Sequence, residues 1–144
     1  RGSPWRRART GAIATYRVGW MQLKNNDFSH HWTESASEVL EFLEICFGAT
    51  PERVSMSYSG DVRIGEKTVE IKSCQEWVVQ TRVAGSKRRR GRFAFEGHEK
   101  ADYVLFVLVG EKLRFKLEKA EGYLGKPRRV SYASVFDLDT KAQV

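Results

Sequence analysis

Seven consecutive apolar residues, Tyr103-Val104-Leu105-Phe106-Val107-Leu108-Val109, constrain this chain more than any other feature. The run is too short to span a bilayer, which takes about 20 residues. It suits a strand covered on both faces, because alternate side chains point to opposite sides and here both sets are apolar. Such a strand belongs at the centre of a sheet with a layer packed above and below. Downstream, Gly110-Glu111 marks a turn into Leu113-Arg114-Phe115-Lys116-Leu117, which alternates apolar and polar residues as a half-buried strand does. Upstream, a helix is expected over residues 35–47. Ser35 and Glu38 fit a capping box, Ala36, Val39, Leu40, Leu43 and Phe47 recur at helical spacing, and Gly48 is placed to end it. Residues 54–58, 61–64 and 68–73 read as strands, 85–92 as a basic stretch, and 132–136 as a short helix. A helix, a meander of strands, an interruption and further strands read as an α/β or α+β sandwich.

The chain has 144 residues, 41% of them hydrophobic, enough for one domain with its own core. Cys46 and Cys74 are the only cysteines, which excludes a disulfide framework and points to an intracellular, membrane-free protein. Pro4-Trp5-Arg6-Arg7 leads into no long apolar stretch of the signal-peptide kind. The net charge is +7, but residues 1–20 hold five arginines and no acid. Residues 1–20 therefore read as a basic N-terminal arm or an expression-derived leader, with residues 21–144 as a single domain. The cationic signal that remains is local: Arg82, Lys87, Arg88, Arg89, Arg90 and Arg92, with no acid between them. Such a block is either a solvated loop or a nucleic-acid contact. His30 and His31 lack zinc-ligand spacing with either cysteine.

The segment from Asp61 to Lys72 carries the chemistry. A two-residue turn at Gly65-Glu66 suits a type II′ hairpin and pairs residues whose numbers sum to 131. Asp61 then lies across from Glu70, with Lys72 on the same face, while Val62, Ile64, Val69 and Ile71 face the core. Opposed carboxylates repel unless a cation lies between them, and hard divalent cations take carboxylate oxygens. A metal next to a lysine suits phosphodiester hydrolysis. A plain solvated hairpin face accounts for the same residues, and helix capping alone accounts for Glu38. Glu41 and Glu44 fall on the helix's polar side.

Asp61, eight intervening residues and then Glu70-Ile71-Lys72 resemble the PD-(D/E)xK motif of restriction-endonuclease-like nucleases. The resemblance spans roughly residues 34–117 and includes the element order: a helix bearing an acid, the motif hairpin, a basic segment, then an apolar strand. Gly60 stands where the motif has proline. The resemblance implies an α/β fold, a restriction-endonuclease-like mixed central sheet flanked by helices, in which Asp61, Glu70 and the Ile71 carbonyl hold Mg2+, for which Mn2+ can substitute. It also implies that Lys72 positions the attacking water and that Glu38 steadies a metal-bound water or a second ion. Gln75 matches a polar position found shortly after the lysine.

DNA is the expected partner, with Lys87, Arg88, Arg89, Arg90, Arg92 and Gln75 as its contacts, mostly to phosphates. Trp77, Phe93 and Phe95 are candidates for base stacking or for the core, and His98 for a phosphate contact or a surface position. The chain is close in size to the compact archaeal Holliday-junction resolvases, whose Gly-Ser-rich segment is faintly echoed by Ser57-Tyr58-Ser59-Gly60. Structure-specific cleavage of branched DNA is therefore favoured. A sequence-specific restriction or homing-type endonuclease and a non-catalytic DNA-binding module are the alternatives. Paired cuts on two strands imply a homodimer. An exposed face of Leu113, Phe115 and Leu117, or the C-terminal segment, is the candidate interface.

Overall fold

The computed structural model describes residues 9–17, 37–53, 61–79, 88–110 and 112–136. In chain order the elements are β1 (Ile13–Arg17), α1 (Ser37–Phe47), β2 (Glu52–Arg53), β3 (Val62–Ile64), β4 (Lys67–Gln75) and β5 (Trp77–Val79). They continue with β6 (Arg88–Arg90), β7 (Arg92–Phe95), β8 (Tyr103–Val109), β9 (Lys112–Lys119), β10 (Arg128–Ser131) and α2 (Tyr132–Phe136). A six-stranded sheet runs in the order β1-β9-β8-β4-β3-β2. Its β4–β8 pair is parallel and its other pairs are antiparallel, so the sheet is mixed.

The apolar run is β8, and every residue in it is buried. Its alternation divides the interior in two. Tyr103, Leu105, Val107 and Val109 meet α1 through Val39, Phe42, Leu43 and Phe47. Val104, Phe106 and Leu108 meet a second cluster built on Phe93, Phe95, Val130 and Phe136. The rings interlock on both sides: Phe47 meets Tyr103 edge-on at 5.1 Å, and Phe93 meets Phe106 at 4.8 Å. One layer is helical, as expected. The other is chiefly the antiparallel β7–β10 ribbon with the short α2, because Phe93, Phe95 and Val130 supply the apolar face that a flanking helix would otherwise bring.

Helix α1 ends where its glycine predicts. Gly48 has φ +70°, and its amide donates to the Glu44 carbonyl at 2.7 Å. The proposed cap at Ser35 and Ala36, the strand at 54–58, and the Ser57–Gly60 echo lie outside the described residues. Three expectations change. Ile13–Arg17, set apart as part of a leader, pairs with β9 as the sheet's edge strand, and the Gly11 amide donates to the Leu117 carbonyl at 2.8 Å. The basic stretch is partly regular, since β6 pairs with β5. Leu113, Phe115 and Leu117 are fully buried rather than an exposed interface, because their side of β9 faces α1.

Gly91 joins β6 to β7 where two strands nearly touch. A Cβ built there would stand 1.8 Å from the Gln75 carbonyl oxygen, an atom fixed in β4. The Gly91 amide donates to the Glu76 carbonyl and its own carbonyl accepts from Tyr132, so the strand cannot back away without losing both. Gly91→Ala is expected to cost about 2–3 kcal/mol, the upper part of the range for overpacking. Chemical denaturation should show the lower midpoint.

Candidate active site

The β3–β4 hairpin forms in the register its sequence predicts: Val62↔Val69, Arg63↔Thr68 and Ile64↔Lys67. Gly65 supplies the positive φ, +62°, that the turn needs. Val62, Ile64, Val69 and Ile71 are fully buried toward α1. At Asp61 the ladder changes. Its amide donates to the Val69 carbonyl at 2.8 Å, and its Oδ2 accepts the Ile71 amide at 2.7 Å. Asp61 is therefore not set directly opposite Glu70. It straddles that residue, its carboxylate replacing the backbone acceptor that β3 no longer provides. The N–H and C=O of one strand residue point the same way, so the Ile71 carbonyl faces the edge that Asp61 occupies.

Glu70 and Lys72 project from the other face of β4, beside Val104 and Phe106 of β8. The reactive groups thus sit on an interior strand, not at a sheet edge. Both are buried, Glu70 at 9% and Lys72 at 7% exposure. A buried ammonium needs a charged partner. Lys72 finds Glu99: Nζ lies 2.7 Å from Oε2 of Glu99, against 3.8 Å from Oε2 of Glu70. The Phe95 ring lies under the ammonium, with its centroid at 5.2 Å.

Glu99 is the residue that sequence reasoning missed. It also accepts the amides of Glu96 at 2.8 Å and Gly97 at 2.9 Å. Burial alone would raise its pKa, but these amides and the Lys72 ammonium lower it from 4.5 to about 2. Its loop is pinned at both ends. Gly97 takes φ +109° against Pro127, and Asp102 accepts the Thr68 amide at 3.0 Å. The sequence allows a solvated hairpin face for Lys72, and only once the fold covers that face does the lysine demand a carboxylate. The sequence did not say which one.

The remaining candidates are distributed. Glu38 is half-buried in the first turn of α1, whose layer lies across the sheet from Glu70 and Lys72. Gln75 ends β4 and, by alternation, falls on the Val69 and Ile71 side. Arg88, Arg89 and Arg90 form β6, with Arg90 exposed opposite Trp77, itself 41% exposed. The Arg88 side chain, Lys87 and Arg82 lie outside what is described. Arg92 is exposed on β7, and Arg128 and Arg129 on β10 add two further cations. Phe93 and Phe95 are core residues, which removes them as stacking platforms. His98 is exposed and near Glu96. Burial pushes the Cys74 thiol up to about 12 and the Cys46 thiol to about 11, so neither is a nucleophile at neutral pH.

Among the described residues no three His, Cys, Asp or Glu side chains gather into a metal-binding group, and no helix is long and apolar enough to cross a membrane. The chain matches no protein-family model, and no significant match was found to a curated protein or a solved structure.

The Glu99 contacts have a pH signature. Its folded-state pKa lies below the ordinary value, so its contribution to stability is present above about pH 4.5 and is lost as pH falls toward 2. Thermal or urea unfolding from pH 6 to pH 2 should show that decline, and Glu99→Gln should flatten it.

Proposed function

We propose that this protein is a divalent-metal-dependent DNA endonuclease of the PD-(D/E)xK type, acting on branched or otherwise structured DNA. The observation that carries the reading is the hairpin itself. Asp61 reaches the Ile71 amide at 2.7 Å, beside a buried Glu70 and Lys72. The donor set (two carboxylates and the Ile71 carbonyl) is all oxygen, which is what Mg2+ or Mn2+ takes. The order of helix, motif hairpin, basic segment and an apolar strand parallel to β4 supports the same reading.

In this reading Asp61, Glu70 and the Ile71 carbonyl hold the cation, which when bound lowers the pKa of water and offsets charge on the phosphate. Lys72 orients the attacking water and counters charge at the scissile group. Arg90, Arg92 and Arg129, presented on exposed ribbon positions, take phosphates along the DNA without reading its sequence. A homodimer presents two such sites to two strands. A second reading, a DNA-binding module without catalysis, is favoured by one observation: Lys72 is already paired to Glu99.

A panel of linear duplex, single strand, flap and four-way junction, incubated with Mg2+, separates these. Junction or flap cleavage is expected, stopped by EDTA and reduced about 10²–10⁴-fold by Asp61→Ala, Glu70→Ala or Lys72→Ala. Cutting of linear duplex at one sequence would move the protein to the restriction class. Tight binding without cleavage on every substrate would favour the binding module. Replacing Arg90, Arg92 and Arg129 with alanine should weaken binding to all substrates and reduce the slope of log K against log salt by about 2–3.

A further inference from the structure

Glu99 lies outside the motif, and its pairing with the buried Lys72 has no part in the chemistry assigned above. Glu99 is 8% exposed, and the three donors on it divide between its two oxygens. Oε1 takes the Gly97 amide, and Oε2 takes the Glu96 amide and the Lys72 ammonium. A carboxylate so occupied is poorly suited to bind a cation, but well suited to fix one neighbour. That neighbour stands between two acids. Lys72 Nζ is 2.7 Å from Glu99 and 3.8 Å from Glu70, so Glu99 holds the shorter contact. The Phe95 face closes a further side of the ammonium.

We infer that Glu99 is a positioning residue: it draws the Lys72 ammonium to itself and away from Glu70, so that Lys72 does not compete with a divalent cation for the Glu70 carboxylate. The physical reason is the burial of all three side chains. A buried ammonium that loses one carboxylate closes on the nearest other, and Glu70 is already within 4 Å. The loop is built to resist this. Glu99 is fixed by two backbone amides rather than by mobile side chains, and its loop is anchored by the Thr68–Asp102 clamp and by Gly97 against Pro127. The inference rests on the metal reading of Asp61 and Glu70, and its test is chosen to separate the two.

The test compares Mn2+ binding by calorimetry, without DNA, in the wild type, Glu99→Gln, Glu99→Asp and Glu70→Gln. Glu99→Gln keeps the side-chain length and removes the charge, and it should bind Mn2+ about 10–100-fold more weakly than the wild type. Glu99→Asp, which restores the charge, should recover part of that loss. A parallel readout needs no metal: the Lys72 ammonium should give a slowly exchanging nitrogen-detected NMR signal, identified by its absence in Lys72→Arg and shifted or lost in Glu99→Gln. Folded Glu99→Gln that binds Mn2+ as the wild type does would overturn the role of Glu99. Wild type that binds Mn2+ no better than Glu70→Gln would overturn the metal reading and the inference with it, even if the Lys72 signal behaves as expected. Should Glu99→Gln fail to fold, the wild-type spectrum decides: a Lys72 ammonium in fast exchange would overturn the proposal.

Discussion

The parallel pairing of β4 with β8 is the constraint on which the rest of the structure depends. Parallel neighbours cannot be joined by a tight turn, so the chain must leave the sheet and return. It does so between Glu76 and Asp102, and that excursion carries both β5–β6 and β7. Phe93 and Phe95 bind the excursion down on the Val104, Phe106 and Leu108 side of the sheet, opposite α1. The same register sets Glu70 and Lys72 beside Val104 and Phe106, beneath the returning chain. Two charged side chains are thereby taken out of water as a consequence of topology.

Burial of those charges then shapes the return. A lone ammonium in that position would be costly, and the loop after β7 meets the need by turning Glu99 inward. The turn draws in Gly97 at positive φ, the amides of Glu96 and Gly97, and the clamp between Thr68 and Asp102. Similar accommodation recurs on the same face of the sheet. Arg114 reaches Glu76 at 2.9 Å, and Lys116 donates to the Val135 carbonyl at 2.6 Å at the end of α2. Polar positions on the second face of β9 are thus satisfied by the layer that covers them.

Asp61 shows how one residue can serve structure and chemistry together. Its carboxylate completes the hydrogen bonding of β4 where β3 stops, which is reason enough for an acid there. That same contact brings it to the edge faced by the Ile71 carbonyl, beside Glu70. A strand end capped by a side chain leaves backbone and carboxylate oxygens side by side, and hard cations use such groupings.

Much of this was legible from local pattern. The apolar run specified β8 and its double coverage, Gly65-Glu66 specified the hairpin register, and Gly48 specified the end of α1, because each depends only on side-chain alternation or backbone freedom at a single position. The Asp61, Glu70 and Lys72 spacing was equally local. What the pattern could not supply was anything joined across long separations. The pairing of β1 with β9 is set by partners about a hundred residues apart, and the burial of Leu113, Phe115 and Leu117 beneath α1 by partners about seventy residues apart. Glu99 is one acid in a short polar loop, indistinguishable by composition from Glu96 beside it. Only the folded crossover decides that one points inward to Lys72 at 2.7 Å and the other outward to water, because the choice between them is made by β8 and β7 closing over the lysine.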